Sequence, residues 1–136
     1  MIKVFTTSQQ RLGERGEQIA VEYLKKNGFS ILERNFATKD GEIDIIGQKD
    51  TMIYFVEVKT TSIRHDNVLY KNQYKPEYNV SREKLIRLRK CAENYIFSHN
   101  VSCETHFSAI LIQIDKKYKK AHLRFMKNII IEDPEE

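Results

Sequence analysis

A chain of 136 residues with 40% hydrophobic and 31% charged side chains has the balance of a globular protein, and its length fits one domain over 1–136. No apolar run approaches the roughly 18 residues of a membrane span, and residues 1–15 lack the apolar stretch of a secretory leader; a cytoplasmic protein without a membrane partner is expected. The net charge of +4 hides an uneven spread: residues 1–58 carry −1, 59–127 carry +9 and 128–136 carry −4.

Residues 8–27 are predicted to form a helix, because Leu12, Gly16, Ile19, Ala20, Tyr23 and Leu24 fall on one side at helical spacing and Gly28 supplies a stop. A strand follows over 30–37, then a turn at Lys39-Asp40-Gly41. Residues 42–47 (EIDIIG) alternate and then run apolar, Lys49-Asp50 offers a second turn, and 52–60 (MIYFVEVKT) are rich in β-branched and aromatic side chains. Together these predict a β-hairpin. The polar stretch 61–80, interrupted by Pro76, reads as a mobile loop. Ser81 is a good N-cap for a helix over 82–97, whose buried stripe is Leu85, Leu88, Ala92, Tyr95 and Ile96. Residues 104–114 and 121–126 read as two more strands, and the acidic tail 128–136 as frayed. The order α-β-β-β-α-β-β predicts an α/β (α+β) domain with a mixed sheet.

Cys91 and Cys103 belong to no metal-ligand spacing and are read as reduced thiols, and the four scattered histidines give no zinc pattern. His65 follows the second hairpin strand closely enough to assist a site there, but an exposed loop histidine is the favoured reading.

The hairpin concentrates charge. Alternation puts Glu42 and Asp44 on one face of its first strand and Glu57 and Lys59 on one face of its second, and a short turn makes Asp44 an opposite or diagonal neighbour of Glu57. Like charges on facing strands repel, and burial raises carboxylate pKa values; a divalent cation removes that penalty. Mg²⁺ takes hard oxygen ligands and completes its shell with water and phosphate, so the pattern suits phosphodiester cleavage. Lys59 would hold the phosphate or position the attacking water. Glu17, at the edge of the first helix's apolar stripe, would be aimed at the sheet, serving a second metal or a water-mediated contact. Against this, an E-x-K pair taken alone is more often an exposed strand ion pair; the preceding Asp44 makes the pattern more specific. Glu42, Glu14 and Glu22 are read as solvated charges.

The stretches GERGEQIAVEYLKKNGFSILERNF, GEIDIIG and FVEVKT resemble the YraN-like family of bacterial proteins, over most of the chain. That family is similar to Holliday-junction resolvases of the restriction-endonuclease-like (PD-(D/E)xK) superfamily. The resemblance implies a mixed central sheet flanked by helices and a Mg²⁺-dependent nuclease site, with Mn²⁺ able to substitute, made of Glu17, Asp44, Glu57 and Lys59; the three acids are the metal ligands. It also matches Lys84 to a family lysine that reaches nucleic acid. Three positions depart from the pattern: Ile43 replaces the proline of the superfamily name, Thr61 an arginine and Ser108 an aspartate.

Arg82, Lys84, Arg87, Arg89 and Lys90 lie off the apolar stripe of the second helix, and Lys116, Lys117, Lys119 and Lys120 crowd the last turn. Both groups suit phosphate contacts, as they suit ordinary solvated surface. Tyr70, Tyr74 and Tyr78, set among Lys71 and Lys75, suit base stacking or, somewhat better, packing against the domain or a partner. The expected function is an endonuclease selective for branched or flapped DNA, possible as a homodimer. The alternatives are a nucleic-acid-binding module with weak or no catalysis, and an interaction protein using the tyrosine segment.

Overall fold

The computed structural model describes residues 7–63, 65, 81–127 and 129. Helix α1 (Ser8–Lys26) begins at a capping box: the Thr7 side chain accepts the Gln10 N–H, and the Gln10 side chain accepts the Thr7 N–H. It ends at Asn27 and Gly28, the latter at φ +88. Strands β1 (Ser30–Thr38), β2 (Gly41–Lys49) and β3 (Met52–Ser62) form an antiparallel meander. Helix α2 (Arg82–Ser98), capped by Ser81, lies in the connection to β4 (Thr105–Asp115), which runs parallel to β3. Strand β5 (Lys120–Met126) closes the sheet antiparallel to β4, giving the order β1-β2-β3-β4-β5.

All seven expected elements are present, their ends within one or two residues of those expected. The fold is thus mixed α/β, with two helices on a five-stranded mixed sheet.

The helices cover opposite faces. Ala20, Val21 and Leu24 of α1 pack with Tyr54, Val56, Ile110 and Ile112, while Leu88, Cys91, Ala92 and Tyr95 of α2 pack with Ile43, Ile46, Ile53 and Phe55. Neighbouring β3 residues thus point to different cores, as strand alternation requires. Both faces of the hairpin are therefore covered, and Glu57 lies on the face under α2. Double coverage explains why β4 is buried from Ser108 through Asp115.

The segment expected to be a mobile loop is partly ordered. β3 continues through Ser62, the Ile63 N–H donates to Ile114 O at 2.9 Å, and His65 Nε2 lies 2.7 Å from Asp115 Oδ1. His65 is not an exposed loop residue; its side chain is 16% exposed, and Asp115 is buried. The rest of that segment, with Tyr70, Tyr74 and Tyr78, lies outside the described residues, as does most of the acidic tail. Cys91 and Cys103 are free thiols. Among the described residues no helix is long and apolar enough to cross a membrane.

Candidate active site

The β2–β3 ladder runs from Lys49↔Met52 to Ile45↔Val56. Beyond it β2 stays with β1 (Ile43↔Phe36, Glu42↔Ala37), and β3 stays with β4 (Glu57↔Ala109, Lys59↔Leu111). The sheet therefore forks between Asp44 and Glu57. Ile43 joins the core under α2 and Ile45 the core under α1, so regular alternation is interrupted at Asp44. The Val58 N–H, past the end of the ladder, is satisfied by Asp44 Oδ2 at 2.8 Å.

Burial pushes the Asp44 carboxyl up to about 6 from an ordinary 3.8. The Val58 hydrogen bond and, least of the causes, the Lys84 charge pull it down; Glu57 and Glu42 push it further up. Glu57 is itself buried, its side chain 8% exposed, and carries an ion pair with Lys84. Lys84 reaches it because Ser81 fixes the start of α2 by accepting the Lys84 N–H at 3.1 Å. The Lys84 side chain remains half exposed. Lys59 is exposed, two residues along β3 from Glu57 and so on the same strand face by alternation.

Glu17 enters from the other side of the sheet. Gly16 is buried against β3, where an added Cβ would fall 1.7 Å from Thr60 Oγ1, so α1 passes very close to the strand just beyond Lys59. The half-buried Glu17 is reached through Asn35 of β1, which adopts φ 54, a left-handed conformation that asparagine tolerates. With its amide oriented by the hydrogen-bond network, Asn35 Nδ2 donates to Glu42 Oε1 at 2.8 Å and Glu17 Oε1 at 3.1 Å. Glu42, read from sequence as a solvated charge, is therefore tied into the site, and Asn35 was missed. Nothing in the pattern of residues marks Asn35, since its role comes from its place on β1 beside Asp44 of β2, between the pairs Arg34↔Ile45 and Phe36↔Ile43.

Asp44 and Glu57 are thus brought together at the fork, with Glu17 held to one side through Asn35 and Glu42. Among the described residues no group of three or more His, Cys, Asp or Glu stands close enough to hold a metal ion. Ser108, on β4 beside Val56, donates from its buried Oγ to Lys127 O at 2.5 Å and lines a small cavity with Glu57 and Leu85. On α2, Arg82 and Arg87 are exposed, and Arg89 pairs with Glu93 at 3.3 Å.

A mixed α/β domain whose sheet forks around two facing carboxylates is the class of protein that fold and site define. Residues 16–115 match the model of the uncharacterised protein family UPF0102, and the chain belongs to that family. It is similar to UPF0102 proteins of Campylobacter fetus subsp. fetus, 34% identical over 86% of this chain and 91% of the relative, and of Campylobacter hominis, 37% identical over 89% and 95%. A UPF0102 protein of Campylobacter lari is 42% identical over 68% of this chain and 74% of its own.

Proposed function

We propose that the chain is a metal-dependent endonuclease of the restriction-endonuclease-like type, hydrolysing DNA phosphodiester bonds at the fork between β2 and β3. The observation that carries the reading is the pairing of two carboxylates, Asp44 and Glu57, in a buried fork. Asp44 is pushed up by burial and by two neighbouring acids, and Glu57 already draws the ammonium of Lys84. The element order and the mixed sheet agree with the core that the sequence resemblance implies.

The donor set fits Mg²⁺, which commonly takes one or two carboxylates and fills its other positions with water and phosphate. Asp44 and Glu57 would hold it, and Glu17 would act from a more distant position through an intervening water. When bound, the cation would neutralise the phosphate and acidify water. Lys59, exposed beside the fork, orients the scissile phosphate or the attacking water. Water forms the new bond to phosphorus, the ester P–O bond breaks, and the leaving oxygen takes a proton. Arg82 and Arg87 extend a basic surface from the fork along α2, where a flanking strand's phosphates would bind without sequence readout. Such contacts favour recognition of DNA shape, and paired cuts on a branched substrate would call for a second copy of the chain.

A second reading has one observation behind it: with Lys84 on Glu57, the fork is already partly neutralised, as suits a nucleic-acid-binding module that cuts slowly or not at all. Lys84→Met separates the two. In an enzyme whose lysine is a stand-in for the cation, the variant binds Mn²⁺ about tenfold more tightly in a calorimetric titration, because Glu57 loses its competing partner. Unchanged affinity would mean that the lysine and a metal do not share Glu57.

The deciding assay presents labelled four-way junction, flap, duplex and single-stranded DNA with Mg²⁺, with Mn²⁺ and with chelator, alongside Glu57→Ala and Lys59→Ala. The expected result is metal-dependent cutting that both substitutions abolish. Binding without cutting, indifferent to both, would leave the module.

A further inference from the structure

Away from the fork, at the end of the sheet where β4 turns into β5, the first turns of α1 meet the turn after Asp115. Ser8, Arg11, Leu12 and Arg15 from the helix and Lys116 from the turn line an open cleft of about 160 Å³. Three cations converge on it, and among the described residues none of their side chains has a hydrogen-bond or ion-pair partner.

The acids nearby in sequence are engaged elsewhere. Glu14 lies 3.8 Å from Arg34, and Glu17 is held by Asn35. Asp115, next to Lys116, is buried with its carboxylate turned to His65 Nε2 and to the Tyr118 N–H at 3.1 Å. Burial alone would raise its pKa; the hydrogen bonds from His65 and from the Tyr118 and Lys117 backbones outweigh it and hold the carboxyl below its ordinary value. Asp115 is thus an internal brace that shapes the turn and leaves the Lys116 charge unneutralised. The first turn of α1 carries no acidic residue, which adds the helix's own positive end to the field. Like charges gathered in a concavity repel, and an anion relieves that repulsion.

We infer that this cleft, formed by Arg11, Arg15 and Lys116, binds a backbone phosphate of nucleic acid as an anchoring point separate from the fork. The identity of the phosphate's owner rests on the nucleic-acid reading above; the existence of an anion site does not. Lys117, Lys119 and Lys120 continue the positive strip past the cleft, which favours a polyanion over a free phosphate ion. Ser62 lies five steps along β3 from Glu57, and its partner Ile114 immediately precedes Asp115. At about 3.3 Å per residue that end of β3 lies roughly 17 Å along the strand from Glu57.

The test measures binding of labelled 20-nucleotide single-stranded and duplex DNA to the full chain by fluorescence anisotropy, in chelator so that nothing is cut. Wild type is compared with Arg11→Gln/Arg15→Gln/Lys116→Gln and with Lys25→Gln/Lys26→Gln/Lys39→Gln, which removes the same charge from exposed positions elsewhere. The cleft variant is expected to bind at least tenfold more weakly, with a salt dependence shallower by about one phosphate contact or more. The control variant should stay within threefold of wild type. Equal losses in the two variants would overturn the proposal, because net charge alone would then explain binding. A thermal shift of the wild type with inorganic phosphate, lost in the cleft variant whose DNA binding is unchanged, would overturn the assignment to nucleic acid in favour of a free anion. Binding is read in chelator, so absence of cleavage in the earlier assay would leave this result standing.

Discussion

Asp44→Asn is expected to stabilise the protein at pH 7 while reducing metal-dependent cleavage by more than about 100-fold. The stability half follows from the carboxyl's displacement from 3.8 to about 6. A folded-state pKa raised above the unfolded value means that the native chain holds a proton which the unfolded chain has released, so stability falls as pH rises between those two values. Below about pH 4 both states are protonated and the penalty is absent; above about pH 6 it is fully present, at most about 3 kcal/mol at 1.36 kcal/mol per unit. Asparagine cannot ionise, yet its side-chain oxygen still accepts the Val58 N–H, so the substitution removes the penalty and keeps the hydrogen bond. Urea melts should show the variant ahead by about 1–3 kcal/mol at pH 7 and level with wild type near pH 4. A variant less stable than wild type at pH 7 would mean that the ionised carboxylate contributes more through Val58 and Lys84 than its burial costs. The catalytic half follows from loss of one of two proposed ligands, since even supporting residues around a metal are typically worth 10–100-fold. Stability gained where function is lost is the expected behaviour of a site that concentrates like charge.

Most of the fold was legible because its signals are local. The helical stripe from Leu12 to Leu24, the Ser81 cap and the turns at Lys39-Asp40-Gly41 and Lys49-Asp50 each fix an element without reference to the rest of the chain. The β2–β3 register follows from the Lys49-Asp50 turn as far as Ile45↔Val56, which leaves Asp44 and Glu57 just past the end of the ladder. The forking of the sheet was not legible. It depends on β2 choosing β1 and β3 choosing β4 beyond Val56, a competition between partners distant in sequence. Asn35 and Glu42 enter the site only through that geometry. The parallel pairing of β3 with β4 also brings His65 to Asp115, fifty residues away, where no periodicity points. Lys84 was expected to face nucleic acid; its ion pair with Glu57 appears only once α2 is laid across the end of β3.

Gly16→Ala is expected to destabilise the protein by roughly 2 kcal/mol or more, although alanine is the better helix former by about 1 kcal/mol. The new Cβ would lie 1.7 Å from Thr60 Oγ1, 2.7 Å from Thr60 Cβ and 2.8 Å from Thr60 Cγ2. Rotating the threonine moves its hydroxyl and methyl but not its Cβ, so helix or strand backbone must give way, which costs about 1–3 kcal/mol or more in a packed interface. Gly13→Ala is the matched control: nothing lies within 4 Å of its added Cβ, so the helix propensity should appear as a gain of up to about 1 kcal/mol. Denaturant melts should separate the two variants by about 3 kcal/mol, and a Gly16→Ala protein as stable as wild type would mean that α1 can shift freely on β3. Thr60→Gly in the Gly16→Ala background removes the atom struck, so a double-mutant cycle should return a coupling of at least about 1 kcal/mol. Because Glu17 follows Gly16 and Lys59 precedes Thr60, a helix pushed off the strand separates two members of the proposed site. Cleavage should therefore fall in Gly16→Ala even in the fraction that remains folded, and should recover in part with the compensating glycine.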